Sequence, residues 1–142
     1  MDIISINPAN GKAIKKYTAH TDKQVDKKIL QTNTAWLNWR HSPHKERSRL
    51  LTNMSKVLLS RKDELAELMA LEMGKPLKQG IAEVEKCASV CDYYAANAAD
   101  HLKDGLIETD ASKSFVTFQP IGVVLAIMPW NVPFWQVFRF LA

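Results

Sequence analysis

Ile121 to Ala142 reads IGVVLAIMPWNVPFWQVFRFLA and carries a single charge, Arg139. Pro129 and Pro133 bracket Trp130, Asn131 and Val132. The unbroken Val, Leu and Ile run predicts a strand over Val123 to Met128, covered on both faces as in a parallel sheet. A tight turn at Pro129-Trp130-Asn131 follows, then a helix opened by Pro133. Proline suits a helix's first turn because the N–H it lacks would have had no partner there. The carboxyl edge of a strand that passes into a helix is where open α/β proteins bind ligands. An asparagine at that edge offers an amide N–H to whatever sits there.

Working outward, Ile3 to Ile6 and Ala13 to Tyr17 flank Asn7-Pro8-Ala9-Asn10-Gly11, and Asn-Gly between two β-prone runs is a hairpin signal. Thr21 with Gln24 makes a capping-box start. Val25, Ile29, Trp36 and Trp39 then fall on one helical face. Ser42-Pro43 ends that helix and opens another, with Arg47, Leu50, Leu51, Met54, Val57 and Leu58 as its stripe. Ser60 with Asp63 predicts the start of a third helix, with Leu65, Leu68 and Met69 inward. Gly74 then Pro76 ends it. Ile81, Val84, Ala88, Cys91, Ala95, Ala98 and Leu102 step by three and four, which predicts a long amphipathic helix fading at Lys103-Asp104-Gly105. Phe115 to Phe118 is β-prone, and Pro120 separates it from the terminal stretch.

The composition is that of a folded globular chain: 142 residues, 46% hydrophobic and 24% charged. That length allows a real core. The net charge of +4 is modest, and Lys23, Lys27 and Lys28 read as a solvated helix face rather than the basic stripe nucleic-acid binding needs. The N-terminus lacks the apolar segment of a signal peptide. Two cysteines without a framework fit a reducing, cytoplasmic setting. Prolines, Asn131 and Arg139 interrupt the terminal apolar run and argue against a membrane span. Cys87 and Cys91 read as small core residues. His41 and His44 lack the further ligands a metal site needs. Glu83 and Glu85 read as solvating the long helix.

PIGVVLAIMPWNVP resembles the signature of the aldehyde dehydrogenase superfamily, P-x-G-V-x-x-x-I-x-P-W-N-x-P. The opening Ile6 to Gly11, the Glu72-Met73-Gly74-Lys75-Pro76 segment, and Glu83 with Glu85 agree with it. Trp135-Gln136-Val137 is similar to the succinate-semialdehyde dehydrogenase-like branch. The resemblance covers essentially the whole chain. It implies an α/β fold of which this chain is the N-terminal portion, mostly helical, with an N-terminal β-hairpin and one strand-turn-helix. On that basis residues 1–112 form the hairpin and helical part of the nucleotide-binding domain. Residues 113–120 form a strand of a β-extension used in subunit contacts, and residues 121–142 the first strand-turn-helix. The chain ends at Phe140-Leu141-Ala142 without a cap or polar tail, which fits a piece of a longer enzyme.

The resemblance further implies oxidation of an aldehyde, such as succinate semialdehyde, with NAD or NADP, in a homodimeric or homotetrameric parent. In the family a cysteine thiolate attacks the carbonyl, hydride leaves for the cofactor, and water releases the acid. Asn131 matches the family's oxyanion asparagine. A donor of that kind is worth about 3 kcal/mol. Read from its residue type and place alone, Asn131 caps the turn and the following helix instead. Ile127, Met128, Pro129 and Trp130, with Asn131, match the floor under the nicotinamide-ribose end of the cofactor. Val132, Gln136 and Arg139, spaced i, i+4, i+7, match positions lining the aldehyde tunnel. Arg139 stands eight residues after Asn131, where that branch places an arginine for the substrate carboxylate. A salt bridge to an acid outside this sequence is the other reading of Arg139. Val132 replaces the common phenylalanine and should widen the tunnel. Phe140 replaces a small residue and should crowd the helix packing. The family's nucleophile, general base and phosphate loop match nothing here, and no G-x-G-x-x-G is present, so the chain alone is expected to be inactive. A non-catalytic helical interaction module and a membrane-associated helical protein are the alternatives.

Overall fold

The structure is a computed structural model, and it describes residues 2–142. The chain opens with an antiparallel hairpin of β1 (Asp2–Ile6) and β2 (Ala13–Thr18), with an irregularity between Ser5 and Ile6. The Asn7 carboxamide accepts the Ala9 N–H at 2.8 Å, an Asx-turn, and Gly11 takes φ +68. The predicted asparagine and glycine chemistry therefore builds the loop, because both residue types satisfy or tolerate left-handed turns.

Four helices follow: α1 (Asp22–Trp39), α2 (His44–Ser60), α3 (Lys62–Met73) and α4 (Leu77–His101). Thr21 and Gln24 form the expected reciprocal capping box at the start of α1. Pro43 opens α2 with φ −67 and ψ 150. Arg47, expected in the α2 stripe, reaches back and donates to the Trp39 and Arg40 carbonyls at 3.0 and 3.5 Å. It thereby closes the end of α1, where carbonyls lack helical partners. The expected Ser60 cap of α3 is not formed. Ser60 is still helical, so its hydroxyl donates to the Val57 carbonyl at 2.9 Å, and Arg61 makes the junction. Gly74 ends α3 in the left-handed region at φ +72, as the Gly-then-Pro order predicts.

The core is built on α4. Val84, Ala88 and Cys91 of its stripe, with Cys87, are buried in one cluster with Leu58 of α2, Met69 of α3 and Phe138 in the last stretch of the chain. Each large apolar side chain so covered contributes about 1.5–3 kcal/mol. Small residues set the spacing: a Cβ placed on Gly80 would meet Ala66 Cβ at 2.9 Å. Ser55 of α2 donates to Asp92 of α4 at 2.8 Å, tying the same helices through polar groups. The apolar face of α1 is largely open: α1 buries no residue, Val25, Ile29 and Trp39 are exposed, and Trp36 is part-buried.

Beyond α4, β3 (Gly105–Leu106) pairs antiparallel with β4 (Phe115–Val116), giving the β-prone run a partner the sequence did not signal. The expected strand over Val123 to Met128 is not formed. Residues 117–129 carry no helix or strand, and Leu125 and Ile127 are 84% and 86% exposed. A strand is defined by its ladder, and among the described residues no neighbour supplies one. The turn and helix do form: α5 (Pro133–Leu141) starts at the predicted proline and docks on α4 through Phe138. Phe140 does not crowd that packing, because it is half-exposed rather than in the core. Among the described residues no helix is long and apolar enough to cross a membrane. Nor do three or more His, Cys, Asp or Glu side chains cluster as metal ligands there.

Candidate active-site turn

The turn before α5 has no cap of its own. Val132 is the N-cap residue, at φ −139 and ψ 67, and its side chain makes no capping bond. The N-terminal amides of α5 are served from α4: Glu83 Oε1 accepts the Trp135 N–H at 3.0 Å. A carboxylate there also complements the positive end of the helix dipole. Glu83 is buried and ion-paired with Lys75, whose side chain is buried too. A buried charge of this kind is tolerable only when paired and hydrogen-bonded. Lys75 Nζ also donates to the Asn131 main-chain carbonyl at 3.3 Å. Lys86, one turn along α4, lies over the Trp135 ring at 3.8 Å. Gln79, Ala82, Glu83 and Lys86 thus present one helical face to Val132 and Trp135. The reading of Glu83 as a solvating residue is corrected, whereas Glu85 is half-exposed and pairs with Lys62 at 2.7 Å. No sequence signal would have found the Glu83 bond, because it joins residues 52 apart through tertiary packing.

Asn131 itself is exposed. Its backbone is held by Lys75, and its carboxamide takes no part in capping α5. Ile127, Met128 and Pro129 meet Gln136 and Arg139 around one open cavity of 490 Å³, with Leu125, Ala126 and Phe140. The structure separates Val132 from that face. Val132 is the N-cap of α5 and its carbonyl accepts the Gln136 N–H at 3.0 Å, but its side chain borders a cavity with Lys75 and Glu83 instead. Trp130 is 75% exposed and lies beside Leu68, Met69 and Met73 of α3, away from Ile127 to Pro129. Among the described residues no carboxylate pairs with Arg139.

Cys87 and Cys91 are free and buried, as expected of core residues. Burial, then the nearby Glu83 charge, pushes the Cys87 thiol up to about 12. Burial also raises Cys91, with Asp92 adding to it. Neither thiol is thereby suited to act as a nucleophile near neutrality, where the thiolate is required.

A proline-opened helix docked on a long helix thus follows an apolar ribbon that ends in Pro-Trp-Asn. The chain belongs to the aldehyde dehydrogenase family, whose profile matches residues 1–142. It is 48% identical over 142 residues to a Synechocystis sp. protein named probable succinate-semialdehyde dehydrogenase for NADP+, covering 100% of this chain and 31% of that one. It is 41% identical over 146 residues to a Mycobacterium avium succinate-semialdehyde dehydrogenase for NADP+, covering 100% of this chain and 31% of that one. The solved Streptococcus pyogenes succinic semialdehyde dehydrogenase in complex with NADP+ superposes with TM-score 0.91 at 31% identity, covering 96% of this chain and 30% of that one. The chain therefore spans about 31% of the length of these curated relatives.

Proposed function

We propose that this chain carries the oxyanion-binding turn of an NADP-dependent aldehyde dehydrogenase that oxidises succinate semialdehyde to the acid. The observation that carries the reading is the Asn131 carboxamide. It is exposed at a turn whose backbone is fixed by Lys75, while Glu83 takes the capping task. The Asn131 amide N–H is thereby free to donate to an aldehyde oxygen as it becomes negative. A fixed donor of this kind lowers the barrier because it needs no reorganisation as the charge develops.

Arg139 and Gln136 flank the open cavity beside Ile127 to Pro129. An unpaired guanidinium there suits a substrate carboxylate, which it can hold bidentately. Val132, on the Lys75 side, borders the turn rather than the carboxylate end. The backbone of Ile127, Met128 and Pro129 suits the nicotinamide-ribose end of a dinucleotide, with Trp130 and Asn131 following it along the chain. NADP+, when bound, accepts the hydride released from the substrate carbon. The relatives' NADP+ names favour NADP over NAD. Residues 113–120 are proposed to extend toward a partner subunit in a homo-oligomeric, cytoplasmic enzyme. The nucleophile and general base are not among these residues, so the chain by itself is expected to produce no NADPH.

The test is a chimera in which this chain replaces the matching segment of the Synechocystis relative. Asn131→Ala should lower kcat about 10²–10³-fold with little change in KM, the signature of a lost oxyanion donor. A chimera whose kcat survives the substitution would remove Asn131 from the mechanism.

A further inference from the structure

We infer that Lys75 and Glu83 form a positioning unit that sets Asn131 relative to α5. The inference rests on the oxyanion reading of Asn131 proposed above. Two bonds leave this buried pair, and both end on the same turn. Lys75 Nζ donates to the Asn131 carbonyl, and Glu83 Oε1 accepts the Trp135 N–H. They clamp the chain on either side of Val132 and Pro133, where the backbone turns helical. No local side chain does this, since the N-cap residue has no polar side chain and Pro133 has no N–H; the one local bond across the junction among the described residues runs from the Gln136 N–H to the Val132 carbonyl at 3.0 Å. Both clamps are anchored on the rigid part of the fold: Glu83 lies on α4 between Gly80 and Val84, themselves buried, and Lys75 follows the left-handed Gly74. The Asn131 main chain is thus held through its carbonyl, which leaves its carboxamide uncommitted. A donor fixed in this way keeps its geometry only while the pair stays intact, and small misplacements of a catalytic group are costly.

The first arm measures amide exchange at Trp135 in the 142-residue chain. Glu83→Ala and Lys75→Met should speed exchange about tenfold or more, whereas Glu83→Gln, which keeps Oε1 as an acceptor, should retain most protection. An unprotected Trp135 amide in the unsubstituted chain, or unchanged exchange in the variants, would overturn the inference. Should Glu83→Ala fail to fold, the contrast between Glu83→Gln and the double swap Lys75→Glu with Glu83→Lys carries the test. The swap keeps opposite charges but faces Trp135 N–H with a donor, so it should not restore protection.

The second arm measures turnover in the chimera described above. Lys75→Met should lower kcat on the order of tenfold or more with KM nearly unchanged, since substrate contacts are untouched. A double swap that restores kcat would show the pair to be merely structural and sink the inference. Loss of exchange protection with unchanged kcat would do the same, while Asn131→Ala remained inactive. Full activity of Asn131→Ala would instead sink the oxyanion reading, leaving the exchange arm to report on the clamp.

Discussion

Glu83 of α4 accepts the main-chain N–H of Trp135 in α5 at 3.0 Å, across 52 residues of sequence. That bond makes the last helix dependent on the middle of the longest one. It also serves a first-turn amide of α5, so the Asn131 carboxamide takes no part in capping that helix. Four measurable consequences of the fold and site follow from the same packing.

Among the described residues Arg139 pairs with no carboxylate, and it lines the Ile127 to Pro129 cavity. Charge reversal, Arg139→Glu in the chimera, should lower kcat/KM for an ω-carboxylated aldehyde by about 10–100-fold, the worth of a lost charge-assisted hydrogen bond. An uncharged aldehyde of similar length should be oxidised nearly as before. Equal losses for both substrates would return Arg139 to a structural salt bridge.

Gly80 packs on Ala66, with only 2.9 Å between an added Cβ and that of Ala66 and 3.0 Å to its Cα. One of these neighbours is backbone, so α3 must move away from α4. Gly80→Ala should therefore destabilise by about 1–3 kcal/mol, despite the better helix propensity of alanine. Urea unfolding followed by circular dichroism checks the sign; a stabilised variant would contradict the close approach.

Phe138 is the large side chain by which α5 joins the core. Phe138→Ala should cost about 3–5 kcal/mol if α5 docks as described. Exchange at the α5 amides should rise with it. A variant with wild-type unfolding and wild-type exchange would mean that α5 is not held on α4.

Cys87 titrates at about 12 instead of its ordinary 9.0, chiefly because burial disfavours the thiolate. The neutral form is thus favoured in the folded chain. This stabilisation is complete below pH 9 and is lost as pH rises from about 9 through about 12, because the unfolded thiol ionises first. Cys87→Ala should show a shallower alkaline loss of stability than the unsubstituted chain. Alkylation by iodoacetamide near pH 8 should likewise be slow in the native state and fast in denaturant. Rapid native alkylation of Cys87 would show that the thiol is not buried.

Much of the local structure was legible in residue types. Thr21 with Gln24, Gly74 before Pro76, and Pro133 mark helix ends that depend on neighbouring backbone groups, and each sits where its chemistry demands. The α4 stripe was legible because helical spacing alone puts Val84, Ala88 and Cys91 on one side. Val123 to Met128 was not, since strand composition cannot supply a ladder. Periodicity places Val25, Ile29, Trp36 and Trp39 on one side of α1 but does not show what covers that side, and Val25, Ile29 and Trp39 are exposed.

Sequence by itself determined the starts of α1 and α5, the end of α3, the α4 core stripe and the Pro-Trp-Asn turn, because these rest on interactions within a few residues. It also carried the family, through PIGVVLAIMPWNVP. Only the tertiary structure decided that Lys75 and Glu83 hold that turn, that Gln136 and Arg139 share a cavity with Ile127 to Pro129, and that Trp130 and Val132 do not. Contacts between residues tens of positions apart arise from how helices pack, and no local pattern encodes which buried charge will meet which unpaired amide.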